Sequence, residues 1–524
     1  MKKIMYLFVA ATAFFITSCS DDDSTEQPPG VFDGESKTYQ LQSSSEAGAS
    51  GTATVVENED GTATVNIKLS GTSSGSFPAH IHANSAAETG DILIDLNAVD
   101  GATGESTTII TARNDGSAIT FEQLLELDAY INVHQSASDL GTLVAQGDIG
   151  INELTADSRE YELGSAADAS ISGTATIYKR VSGASLLEID LEGTPEDGEH
   201  PAHIHLNSAA EGGDIAISLN AVAGASGKSW THIEEDDAGT AITYEGLLEL
   251  DGYINVHKSA TELDVLVAQG DIGINVLTGE SKEFALHSVL VPTISGTATI
   301  HKRLSGASLL ELELEGTPAD GEHPAHIHAN TAAEGGDIAI SLNAVAGANG
   351  KSWTHIEADD AGTAVSYEDL LEFDGYINVH KSVAELDLLV AQGDIGQNEL
   401  TGNEVSYDLA AVSNAAIFGT ATFSERVNKE TLVTLELVGT TAGAIHPAHI
   451  HTGAVADAPG AVIVTLGNVI GANGVSVTNV TQANAGGALD YDALLAIDGY
   501  INVHLSAEDL DTLVAQGNVG ANVN

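Results

Sequence analysis

The chain has 524 residues and a formal net charge of −59, with 17 Lys and Arg against 76 Asp and Glu. The length fits roughly three to five domains of about 100–150 residues, and so acidic a chain is repelled by phosphates, which excludes direct nucleic-acid binding. A single cysteine, Cys19, excludes an intrachain disulfide and a thiolate metal cluster, while the 43 % of apolar residues, alternating with acids, separates the chain from disordered polyanions.

The first element in chain order is a targeting segment. Lys2 and Lys3 precede an apolar run, Ile4 to Ile16, too short to span a bilayer comfortably, and the run closes on Ile16-Thr17-Ser18-Cys19. That closing tetrad resembles a bacterial lipobox, which implies cleavage after residue 18 and acylation of Cys19. Asp21-Asp22-Asp23 comes next and resembles the surface-export signal of Bacteroidetes-type lipoproteins. Residues 1–18 are thus expected to be a signal peptide and residues 19–31, with Pro28-Pro29, a flexible tether. The expected location is the cell envelope, as an outer-membrane lipoprotein exposed at the surface and held to the membrane by its lipid.

Internal repetition dominates the rest of the chain. "PAHIH" places His80, His203, His326 and His449 at steps of 123, and "YINVH" ends at His134, His257, His380 and His504. "LVAQGDIG" begins at Leu143, Leu266 and Leu389, and the fourth copy reads "LVAQGNVG" from Leu513. A period near 123 is a domain, not a solenoid unit. The seams predict four domains, 32–154, 155–277, 278–400 and 401–524, joined by short junctions.

Each copy reads as β. "LLELELEG" (309–316) alternates Leu310, Leu312 and Leu314 with Glu311, Glu313 and Glu315, the period of a half-buried strand. "GTATIYKRVSGASLLEIDLEG" is two strands around Ser182-Gly183, and helical periodicity is brief, near Tyr244 to Leu250. The fold class expected is all-β, with four tandem antiparallel sandwiches, of immunoglobulin-like or superoxide-dismutase-like type. Acids on the outer strand faces account for much of the charge and discourage edge-to-edge pairing.

Alternation also decides what His-Ile-His can do. Residues i and i+2 share a strand face, so His80 and His82 project together, and "YINVH" adds His134 if its strand lies alongside. The triads predicted are His80, His82, His134; His203, His205, His257; His326, His328, His380; and His449, His451, His504. Three neutral imidazoles suit copper or zinc, and Asn132 or Tyr130 is placed to orient a ring. Without a metal, the same residues make a hydrogen-bonded polar cluster. The preceding His200, His323 and His446 stand where the first copy has Phe77, so packing is their expected role. His232 and His355 have Ile109 and Asn479 as counterparts and cannot serve a function common to all copies, while His287 and His301 occur once each.

His-x-His, then Tyr-x-Asn-Val-His some fifty residues on, then a closing strand to a glycine turn, resembles the CHRD domain through all four copies, Phe32 to Asn524. The resemblance implies an extracellular β module without an established catalytic role. The family's closing strand carries an arginine where these copies read Leu-Val-Ala-Gln-Gly, so no function resting on that arginine carries over. A fainter resemblance, in His-Ile-His and "INVHKSATELDVLVAQGDIGI", is to copper/zinc superoxide dismutase. It implies a related sandwich, but no histidine common to all copies matches the bridging ligand, no zinc cluster is present after it and the disulfide cannot form.

"GASGKS" (224–229) and "GANGKS" (347–352) mimic a P-loop but lack its first glycine, at Val222 and Val345, and read as polar hairpin loops. The function expected is therefore a lipid-anchored, non-enzymatic binding or structural module for an extracellular protein or glycan, with a metal held by each triad. The alternatives are a copper-dependent oxidoreductase and metal capture without turnover.

Overall fold

The strand Ala63–Ser70 shows how a period of two builds this protein. Ala63, Val65, Ile67 and Leu69 are buried, while Lys68 and Ser70 between them face water. Leu310, Leu312 and Leu314 repeat the pattern in the strand Ser308–Glu315. The computed structural model describes residues 34–43, 48–166 and 169–523. The apolar leader, Cys19 and the tether lie outside the described residues. Among those described, no helix is long and apolar enough to cross a membrane.

Among the described residues up to 153, eight strands succeed one another: β1 (Ser36–Ser43), β2 (Ser50–Glu57), β3 (Ala63–Ser70), β4 (Ser76–Ala83), β5 (Ile92–Asp100), β6 (Glu105–Ile110), β7 (Asp128–Ser136) and β8 (Asp139–Gly150), with the short helix α1 (Phe121–Leu125) before β7. Their order around the sheet is β1-β2-β3-β6-β5-β4-β7-β8, and β1 pairs back onto β8 through Gln42 with Gln146 and Ser43 with Ala145. Every pairing is antiparallel. The crossing from β3 to β4 is what lets β4 and β7, the two histidine strands, lie side by side.

Residues 154–524 hold three further barrels of the same strand order, over 154–273, 277–396 and 400–520. The expectation of a sandwich is corrected: each unit is a closed barrel. The inward alternation is the same in both architectures, and the difference rests on two short seams, first strand to last and β5 to β6 through Asp100 with Glu105, which leave no free sheet edge. The outer acids therefore guard no sheet edge.

The local expectations hold where chemistry is strongest. The helix Tyr244–Leu248 starts on Thr243, whose side chain accepts from the Gly246 N–H. Gly183 turns its hairpin with a positive φ of 88°. "GASGKS" is a hairpin loop, and Lys228 Nζ lies 2.9 and 2.7 Å from Glu188 and Asp190. Each barrel encloses its own apolar core.

Candidate metal centre

Proline and two irregularities in the ladder shape the site. In the second barrel, the strand Glu199–Leu206 lies against Asp251–Ser259, with His203 opposite Asn255 and His205 opposite Tyr253. Pro201 has no N–H to give, and the ladder ends at Ala202 opposite Val256. His257 then sits at a register shift against Leu266, and another shift falls at His205. Bulges re-aim side chains, and here they turn three imidazoles toward one point while Ile204, Ile254 and Val256 fill the barrel interior.

In each barrel, three nitrogens, one per ring, lie within 4.8 Å of one another: His80, His82, His134; His203, His205, His257; His326, His328, His380; and His449, His451, His504. All twelve histidines expected from the sequence are thus brought together in their predicted sets. The converging atoms differ along the set. His203 turns Nδ1 inward, 3.2 Å from His257 Nε2, and the third and fourth barrels repeat this at 3.1 Å. In the first barrel the ring centroids of His80 and His134 are 5.0 Å apart, close to the 5.1 Å of the other three.

The outer nitrogens of two rings are held by backbone carbonyls. His205 Nδ1 donates to the Gly213 carbonyl at 2.9 Å and His257 Nδ1 to that of Leu263 at 2.5 Å. A carbonyl only accepts, so each neutral ring keeps its proton on Nδ1 and presents a bare Nε2 to the centre. His82 with Gly90, His134 with Leu140, His328 with Gly336, His380 with Leu386, His451 with Gly460 and His504 with Leu510 repeat the arrangement.

Tyr253 orients His205 as expected of its position, by stacking at 5.0 Å and 20°. Its hydroxyl also accepts the Gly213 N–H at 3.1 Å, fixing the loop whose carbonyl holds His205. Asn255 plays a different part: its Oδ1 accepts from Gln269 Nε2 at 2.8 Å, tying the site strand to the closing strand. Gly213 is required at its place, because a Cβ there would meet the Leu206 carbonyl oxygen at 2.0 Å. The carbonyl holders were not legible as ligand-orienting groups, since any residue carries a carbonyl; the signal for them is a glycine recurring as Gly90, Gly213, Gly336 and Gly460 behind each His-x-His.

Burial and the charge of the facing imidazole hold His203, His326 and His449 below the ordinary histidine value. Burial does the same for His257, His380 and His504, against the pull of their carbonyl partners. His80 and His134 are lowered likewise, chiefly by burial. These rings are neutral at neutral pH, the state a metal needs. The residues also leave the orphaned atoms that a metal would satisfy: the buried Nε2 atoms of His82, His205, His328 and His451 have no hydrogen-bond partner among the described residues. Three nitrogens so placed could hold a metal ion.

His200, His323 and His446 do not join the triads. They are buried, and Nδ1 of each donates to the backbone carbonyl of His257, His380 or His504, at 3.1–3.2 Å, beside the proline that cannot donate. Phe77 occupies the same place inside the first barrel's core.

Residues 35–145, which form most of the first barrel, match the model of the CHRD domain family. The strand order and the triad recur in the second, third and fourth barrels, as in tandem copies of one domain. No curated protein matches the chain.

Proposed function

We propose that the chain is a non-enzymatic array of CHRD-type binding modules, each able to hold one copper(II) or zinc ion between its three imidazoles. The observation that carries this reading is the meeting of three ring nitrogens within 4.8 Å, two of them stripped of protons by backbone carbonyls. Three bare lone pairs at that spacing repel one another unless a cation or a proton lies between them.

Four such sites on an acidic chain would concentrate cations at the surface that carries it. With Cys19 acylated, that surface is the cell envelope. An open coordination position would remain for water or for a donor atom of an extracellular protein or glycan.

The test is metal analysis of untagged protein dialysed against copper(II) or zinc. Four ions per chain are expected, and three from a His203→Ala, His205→Ala variant. Equal metal content in the two proteins would end the reading. For the anchor, Cys19→Ala should release the protein from the membrane fraction; retention of the variant through an acylated N-terminus would refute it.

A further inference from the structure

Of the columns at which the four copies differ, two change only in the first or the last copy and carry charge in the others. The first column is Asn58, Arg180, Arg303 and Arg426, each at the turn after its barrel's second strand, with its N–H bonded to the carbonyl four residues on. The second is Asp148, Asp271, Asp394 and Asn518, each opposite the site tyrosine in the closing strand. At all four, a side-chain oxygen accepts an N–H of the loop after His-x-His, from Ala86, Ala209, Ala332 or Val455 at 2.8 Å. Arginine is missing only from the first copy, and aspartate only from the last.

Within residues 154–524 the two columns meet. Arg303 of the third barrel is fully buried, and its Nη1 donates to Asp271 Oδ2 of the second at 2.8 Å and to the Asn275 carbonyl. Arg426 of the fourth does the same with Asp394 of the third, at 2.7 Å, and with the Asn398 carbonyl. Backbone bonds flank each pair: Leu304 to Val276 at 2.9 Å and Ser305 to Ile274 at 3.0 Å, then Val427 to Glu399 at 2.9 Å and Asn428 to Gln397 at 3.0 Å.

The contact is heterologous, since the hairpin after one barrel's second strand supplies the arginine and the closing strand of the barrel before it receives it. Such interfaces propagate as open chains unless something stops them. Asn58 turns inward on its own hairpin, bonding Thr62 and Thr64 at 2.9 Å, and Asn518 keeps the loop bond but brings no charge. An arginine docking on Asn518 would be buried without a counter-ion, which is strongly unfavourable.

We propose that the Arg–Asp pair is the connector that seats the third barrel on the second and the fourth on the third, and that Asn58 and Asn518 terminate the array by denying a second copy of this chain the charged halves it would need to add on.

The experiment restores those halves. In full chains carrying Asn58→Arg with Asn518→Asp, sedimentation at ~0.5 M salt, which screens the chain's self-repulsion, should show masses that grow with concentration while the wild type stays monomeric. Each single variant should remain monomeric, and a mixture of the two should form dimers. A folded double variant that stays monomeric overturns the proposal, as does a single variant that associates on its own. A second arm removes a connector without leaving a lone charge: Arg426→Met with Asp394→Asn. Proteolysis near residues 397–400 should then run at least about tenfold faster, following the open population of the seam. An unchanged cleavage rate would overturn the connector role.

Discussion

His203 Nδ1 and His257 Nε2 face each other at 3.2 Å, and one of them carries a proton. His257 has its own proton on Nδ1, donated to Leu263, so in the metal-free protein the shared proton belongs to His203. Binding a metal there requires His203 to carry its proton on the outward Nε2 instead. The metal-free triad is therefore one bonded pair, His203 with His257, beside an unpartnered His205 Nε2, and the change that frees the pair is one tautomer shift at His203. The hydrogen-bonded pair and the proposed metal site draw on the same nitrogens.

Tyr253 is the group whose removal should separate positioning from ligation. Tyr253→Phe keeps the ring over His205 but leaves the Gly213 N–H without its acceptor, loosening the carbonyl that orients His205. Metal affinity at the second barrel should fall about 10-fold, at the lower end of what supporting partners contribute, with stability down by about 1 kcal/mol. Calorimetric titration of the variant should resolve three unchanged sites and one weakened site. Four unchanged sites would show that the tyrosine only packs.

The lowered histidines predict a particular response to acid. In the folded metal-free chain, His80, His134, His203, His257, His326, His380, His449 and His504 bind protons less readily than in the unfolded chain. The unfolded state therefore takes up more protons as pH drops below about 6.5. Stability from these groups is present in full above that value and is lost as pH falls through their lower folded values. Metal should leave over the same window, because protons and metal compete for the same nitrogens. Thermal midpoints between pH 7.5 and 5 check this, and a midpoint that is flat until the carboxylate range would contradict it.

Much of this site was legible because strands have a period of two. His-Ile-His on one strand needs no tertiary knowledge to put His203 and His205 on one face. The third ligand needed a neighbour, and the recurring Tyr-Ile-Asn-Val-His supplied it only because the two strands pair directly. Barrel closure was not legible: Gln42 with Gln146 and Ser43 with Ala145 pair across about a hundred residues, and neither pair has a distinctive pattern. His200 shows the other limit. Phe77 at the same place in the first copy suggested packing, and His200 is buried, but it also donates to the His257 carbonyl beside Pro201, which no pattern announced. The arginine and aspartate columns are visible in the sequence, but only when the copies are compared for where they differ.

His200 should be dispensable for metal binding. Its Nε2 has no hydrogen-bond partner among the described residues, and the first barrel builds the same triad with Phe77 in its place. His200→Phe gives up the bond to the His257 carbonyl, about 1 kcal/mol, and removes a buried unsatisfied nitrogen whose cost is similar or larger. Stability should change by no more than about 1 kcal/mol, with four ions still bound. Loss of the second barrel's ion in this variant would mean that the His257 backbone, held by His200, helps to set the ligand geometry.

Metal should also stabilise the barrels by mass action. An ion that binds the folded triad and not the unfolded chain adds about 2.7 kcal/mol at a free concentration a hundred times its dissociation constant. Unfolded histidines bind copper(II) weakly, so the gain for copper falls somewhat below that figure. Because each barrel has its own triad and its own apolar core, the gain should appear in each unfolding unit rather than in one. In the His203→Ala, His205→Ala variant, the second barrel should lose its metal-induced shift while the remaining transitions keep theirs. Calorimetry with and without a chelator makes the comparison. If the chelator leaves every transition of the wild type where it was, the triads hold no metal in the folded protein, and the histidines are the polar seam that joins two strands.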